Sequence, residues 1–160
     1  MIRNGALKLD ERDLRILSIL QKEGRITKTE LAERVNLSPT PCWSRLKRLE
    51  KIGLIEGYRA KIALKRFGFT MVFMEAELES HRATDFAQFE VAMRQTPEVT
   101  GCWSVGGGID YLIQIMVRDV DSYQRLVDRL LDSGIGLKRY YTYVVTKAIK
   151  EDSPAPLESL

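Results

Sequence analysis

The stretch Ser38-Pro39-Thr40-Pro41-Cys42-Trp43-Ser44-Arg45-Leu46-Lys47-Arg48-Leu49-Glu50-Lys51 decides the fold of the first half of the chain. Ser38 is a capping residue, and Pro39 stands at the first helical position, where a missing N–H costs nothing. A helix therefore starts here and runs to about Ile52, before Gly53. At 100° per residue, Cys42, Leu46 and Leu49 share one apolar face, while Thr40, Ser44, Lys47, Arg48 and Lys51 make a cationic face without an acid.

Two further helices precede it. Thr27, with Glu30 three residues on, reads as a capping box for a short helix that buries Leu31, Ala32 and Val35. Asn36 tolerates a left-handed conformation, so the chain can turn sharply before Leu37 and the next helix. Earlier still, an acidic first turn at Asp10-Glu11-Arg12-Asp13 opens a helix with Leu14, Leu17 and Leu20 at helical spacing and Gly24 as its stop. Two helices joined by a tight turn form a helix-turn-helix. After Gly53, two short β segments around Gly57, with Arg59 and Lys61 on alternate positions, read as a wing touching a nucleic-acid backbone.

These features suit a major groove. Small Thr40 and Ser44, with Ser38 at the helix start, can approach base edges, and Lys47, Arg48 and Lys51 can reach guanine edges or phosphates. Arg45, on the flank, holds a phosphate or braces the helix. The candidate DNA-binding set is therefore Ser38, Thr40, Ser44, Arg45, Lys47, Arg48 and Lys51, with Arg59 and Lys61 from the wing. Trp43 lies between the two faces and reads either as a packing plug or as a DNA contact.

Charge supports this division. The 160 residues hold 25 Lys and Arg against 22 Asp and Glu, a net +3. Residues 1–69, however, have 16 basic and 8 acidic side chains, a net +8, and the remainder has 9 and 14, a net −5. A basic module joined to an acidic one points to a polyanion partner for the first.

The second half changes period. From Thr70 to Glu79, Val72, Met74, Ala76 and Leu78 alternate with Glu75, Glu77 and Glu79, which marks a strand with one wetter face. A helix around Asp85 to Arg94 follows with Phe86, Phe89 and Met93, then a strand from Val99 to Val105 and a turn at Gly106-Gly107-Gly108. The returning strand, Asp110 to Val117, places Tyr111, Ile113, Ile115 and Val117 on one face. A helix from Val120 to Ser133 carries Tyr123, Leu126, Val127, Leu130 and Leu131, and residues 139–149 form a last strand. The order βαββαβ is ferredoxin-like, with helices on one face of an antiparallel sheet. Met71, Phe73 and the tyrosine-rich last strand leave apolar surface on the other face, which argues for dimerisation.

The expected fold class is α+β, with a winged helix-turn-helix over residues 1–64, a linker at 65–69, a ferredoxin-like ligand-binding and oligomerisation domain at 70–150 and a disordered tail at 151–160. No apolar run reaches the roughly 18 residues of a membrane span, and charge enters too early for a signal peptide, so a cytoplasmic protein is expected. Cys42 and Cys102 belong to no CxxC or Cys/His cluster, so no metal site is expected. His81 is the sole histidine, and GxSxG, HExxH and P-loop motifs are absent, so neither catalytic residues nor a cofactor is expected and an enzyme is disfavoured. A thiol redox sensor at Cys42, near the start of a helix, is another reading, weakened by its place on the apolar face.

Ser38-Pro39-Thr40-Pro41-Cys42, Arg45-Leu46-Lys47-Arg48-Leu49-Glu50 and Gly57-Tyr58, followed by Gly107-Gly108-Ile109-Asp110-Tyr111 and Thr142-Tyr143-Val144-Val145, resemble the Lrp/AsnC family over roughly residues 8 to 150. The resemblance implies a transcription regulator on double-stranded DNA, nucleoid-associated, that dimerises through its second domain and assembles into octamers or related rings. It also implies an amino acid or related metabolite as effector, and thereby control of amino-acid or nitrogen-compound metabolism or transport. Gly106, Gly107 and Gly108 are then candidates to receive a ligand carboxylate on backbone N–H groups, Asp110 to meet an ammonium group or orient the turn, and Thr142 to add a hydroxyl contact. Three successive glycines depart from the family's usual single one, which alters the ligand that fits or loosens the hairpin. The alternative is an architectural DNA-bending protein without an effector.

Overall fold

The computed structural model describes residues 8–157, so residues 1–7 of the expected first domain and 158–160 of the expected tail lie outside the described residues. The chain divides into two compact units. The first takes the described residues up to Lys61 together with those from Lys150 onward, and the second is Ile62–Ile149.

In the first unit, α1 (Glu11–Lys22), α2 (Lys28–Arg34) and α3 (Pro39–Lys51) enclose a core of Ile16, Ile19, Leu31, Ala32, Val35, Cys42, Leu46 and Leu49. Asp10 and Asp13 cap α1 reciprocally: Asp13 N–H donates to Asp10 Oδ1 (2.9 Å) and Asp10 N–H to Asp13 Oδ2 (3.1 Å). Thr27 Oγ1 caps α2 by accepting from Glu30 N–H at 3.2 Å. Asn36 adopts φ 53° between α2 and α3, the left-handed step the turn needs, and Leu37 N–H closes it onto Ala32 C=O at 2.9 Å.

Three expectations in this unit need correction. The buried stripe of α1 centres on Asp13, Ile16 and Ile19, and Leu14, Leu17 and Leu20 are only half-buried beside it, because Asp13 must face α3. The two short β segments expected in the wing do not form: residues 56–63 hold no strand, because a ribbon this short, exposed on both sides, has no apolar layer to support it. Tyr58 instead donates its hydroxyl to Glu50 Oε1 (3.1 Å), and Lys61 pairs with Asp152 (2.8 Å). The tail packs back on the first unit, where Gln21 grips the backbone of Ala155 at both its N–H (2.8 Å) and its C=O (3.4 Å).

The second unit opens with a single 3-10 turn, Leu64–Phe67, where a linker is expected at 65–69. Its sheet comprises β1 (Thr70–Leu78), β2 (Val99–Ser104), β3 (Tyr111–Val117) and β4 (Leu137–Val144), in the order β2-β3-β1-β4 with every neighbour antiparallel. α4 (Ala83–Gln95) and α5 (Val120–Asp132) connect the strands in the ferredoxin-like βαββαβ order. Val72, Met74, Ala76 and Leu78 of β1 and Tyr111, Ile113, Ile115 and Val117 of β3 are buried with Phe89, Met93, Leu126, Val127 and Leu130. Burying each large apolar side chain contributes about 1.5–3 kcal/mol.

β4 lies earlier than its expected span of 139–149, because β1 begins at Thr70 and offers nothing to pair with past Val144 except one bond, Val145 N–H to Met71 C=O. Leu131 is exposed, one helical step round from the α5 stripe. The opposite face of the sheet carries Met71, Phe73, Leu112, Met116, Trp103, Tyr141 and Tyr143, of which the last three are exposed.

Candidate DNA interface and effector region

α3 sorts its polar residues into two sets. Thr40, Ser44, Lys47 and Lys51 are exposed, and the Ser38 hydroxyl makes no capping bond, although Ser38 C=O accepts the first helical bond from Cys42 N–H (3.3 Å). Arg45 and Arg48 turn the other way. Arg45 Nη1 donates to Asp10 Oδ2 (2.6 Å) and Asp13 Oδ1 (2.9 Å); Arg48 Nη2 donates to Asp13 Oδ2 and its Nη1 to Lys8 C=O (3.3 Å).

Asp13 is the centre of this cluster. Only 1% exposed, it is tolerated because two guanidinium groups and the Asp10 N–H surround both its oxygens. Its hydrogen bond raises the Arg45 guanidinium above its ordinary range, with a second contribution from Asp10. Asp10 is held below the usual carboxylate range, first by the Asp13 N–H, which outweighs the opposing effect of burial, and then by Arg45. Arg48, expected to reach DNA, is thus paired with Asp13 of α1 while staying partly exposed, and Arg45 braces α3 against α1. Asp10 and Asp13 are site residues that sequence reading passed over as an ordinary acidic first turn. The available signal was their spacing of three, which matches that of Arg45 and Arg48 on the helix they meet.

Lys47 donates to Glu50 Oε2 at 3.1 Å, so the cationic face has an acid within reach. Arg59 is exposed on the extended segment, while Lys61 is paired with Asp152. Lys28, outside the expected set, places its ammonium over the Trp43 ring.

In the second unit the glycine turn is exposed at Gly106, Gly107 and Gly108, with Gly107 at φ 143°, a region that suits glycine. Val105 N–H to Asp110 C=O (3.0 Å) closes the turn. Asp110 holds its base: its N–H donates to Ala76 C=O (3.0 Å), and its Oδ2 accepts from Leu78 N–H (2.8 Å). His81 Nε2 lies 3.2 Å from the same carboxylate, and its ring stacks on Phe86. Thr142 stands on β4, across the sheet from the glycine turn, with its hydroxyl bonded to Tyr123. The expected effector residues therefore do not all converge within one chain.

Between α4 and edge strand β2 lies a cleft of about 430 Å³ lined by Glu90, Met93, Arg94, Thr100, Cys102 and Tyr111, among others. Tyr111 donates to Glu90 at 3.1 Å, and burial, then this carboxylate, pushes its hydroxyl up to about 12, so it stays neutral. Burial and the neighbouring Glu90 push the Cys102 thiol up to about 11; burial likewise raises Cys42 despite the nearby Arg45. A pKa of 11 leaves about one Cys102 in a thousand as thiolate at pH 8. In the folded protein iodoacetamide should therefore label both cysteines at least tenfold more slowly than in the denatured chain. Rapid native labelling of Cys42, followed by mass spectrometry, would restore the redox-sensor reading.

A winged helix-turn-helix DNA-binding model matches residues 9–56, and the Lrp/AsnC ligand binding domain matches residues 71–155. The chain is 51% identical over 151 residues to the transcriptional regulatory protein DoeX of Halomonas elongata, covering 92% of this chain and 94% of that one. It is 38% identical over 146 residues to the leucine-responsive regulatory protein of Escherichia coli, covering 91% and 89%. The crystal structure of a Neisseria meningitidis transcriptional regulator in complex with L-Met superposes with a TM-score of 0.89 at 34% identity, covering 94% of this chain and 98% of that one. Among the described residues no helix is long and apolar enough to cross a membrane. The relatives are regulators rather than enzymes, and with a DNA-reading unit joined to a ligand-binding unit this chain belongs to the Lrp/AsnC family of DNA-binding transcriptional regulators.

Proposed function

We propose that the chain acts as a homodimer that reads the two half-sites of a near-palindrome and adjusts that binding to an amino acid or related small metabolite. The carrying observation is the sorting on α3: the two arginines are tied to Asp13 of α1, and Ser38, Thr40, Ser44, Lys47 and Lys51 are exposed and, among the described residues, make no bond to α1. Thr40 and Ser44 meet base edges, while Lys47, Lys51 and Arg59 meet phosphates or guanine edges. The open face of the sheet supplies the dimer contact, and dimers assemble further into an octamer or another ring.

The effector is read by the second unit, where Gly106–Gly108 offer backbone N–H groups to a carboxylate and Asp110 keeps the turn in shape. The L-Met complex of the Neisseria regulator makes that amino acid a first probe. The genes controlled are those for metabolism or transport of amino acids or nitrogen compounds, in the cytoplasm, at the nucleoid.

Footprinting should show paired protections spaced at multiples of about one helical turn. A ligand found by thermal shift among amino acids and compatible solutes should then change DNA affinity or particle size. Protection without that spacing would exclude the half-site reading. A protein that bends DNA while no ligand alters its melting, affinity or size would be architectural instead.

A further inference from the structure

Trp43 is the only aromatic residue on α3. Its indole packs half-buried against the core of the first unit, and two ammonium groups approach it: Lys28 Nζ lies 3.4 Å from the ring centroid and Lys47 Nζ 4.8 Å. Two like charges gathered at one ring repel each other, and the negative face of the indole offsets only part of that cost. Lys47 has Glu50 as well. Lys28 has no carboxylate partner among the described residues and projects from α2, the helix before the reading helix. The grouping becomes favourable when a phosphate neutralises it, and in helix-turn-helix proteins the helix before the reader crosses the backbone.

We propose that Trp43 is a positioning residue for DNA binding, which holds Lys28 beside Lys47 so that Lys28 makes a phosphate contact. The ring restricts a flexible four-carbon stem before DNA arrives, so less freedom is lost on binding. Because a phosphate contact carries no sequence information, its loss weakens binding to all sequences alike.

The test uses the full chain and a mixed-sequence duplex of about 30 base pairs, titrated from low to physiological salt. Lys28→Ala should weaken binding roughly five- to tenfold per bound protomer at 0.1 M salt and lower the slope of log K against log salt by about one per protomer. Trp43→Leu should do nearly the same, Trp43→Phe should retain most of the affinity, and Trp43→Leu with Lys28→Ala should lose little more than either alone. An unchanged slope in Lys28→Ala overturns the proposal, as does full additivity in the double variant. If Trp43→Leu unfolds, Trp43→Met takes its place, because a flexible apolar side chain fills the gap without offering Lys28 an aromatic face.

Discussion

Asp13→Ala should lower the stability of the first unit by about 3 kcal/mol, the cost of stripping a buried, doubly paired carboxylate and a helix cap together. The loss stays short of the extreme because Arg45 and Arg48, with side chains 27% and 43% exposed, can return to water once their partner is gone. Calorimetry should show the transition of the first unit moving down by several degrees, with the second unit, which has its own core, melting where it did. Asp13→Asn keeps an acceptor for the Asp10 N–H and should lose less. DNA binding should fall in Asp13→Ala even well below melting, because the brace that sets the angle of α3 against α1 has gone. A melting profile indistinguishable from the parent would mean that the ion cluster contributes nothing.

The second large effect is expected at the sheet. Phe73 lies on its open face, between Gln114 on β3 and Tyr143 on β4, with Met71 and Met116 one pair further along. Phe73→Asp puts a charge into that apolar patch, where a second copy would have to desolvate it. Ultracentrifugation should find monomers at concentrations where the parent is dimeric. Affinity for a two-half-site operator should fall about 100-fold or more, since the second module no longer binds at the high effective concentration the dimer provides. The folded monomer should survive, because Phe73 is not among the buried core residues that join the sheet to α4 and α5. A dimer of undiminished strength in Phe73→Asp would place the interface elsewhere.

Much of this architecture could be read from residue order. Period-two burial in β1 and β3 and the stripes of α3 and α5 follow from alternation and helical spacing, apart from Leu131. Asn36 marked the turn because few other residues accept a positive φ. What stayed hidden depends on contacts between elements distant in sequence. Arg48 and Lys47 are neighbours with the same charge, and only the passage of α1 beside Arg48 ties it to Asp13, while Lys47 pairs with Glu50 on its own helix. The two β segments expected in the wing did not form for a related reason, since local strand propensity in 54–63 cannot show whether a ladder partner exists. Lys28 escaped notice because its tie is to an indole 15 positions away rather than to an acid on its own helix.

Asp110 was expected either to bind an ammonium group or to orient its turn, and its geometry has a consequence for comparing regulators of this kind. Its carboxylate takes the Leu78 N–H where the β1–β3 ladder has already passed its last paired residues, Ala76 and Tyr111, so a side chain serves as the final rung of a backbone ladder. An aspartate with this job serves the pairing of β1 with β3, two strands that no turn joins, whichever metabolite the protein answers to. The identity of the signal would then be written in the residues around such an aspartate, and its own presence tells only how the sheet is closed.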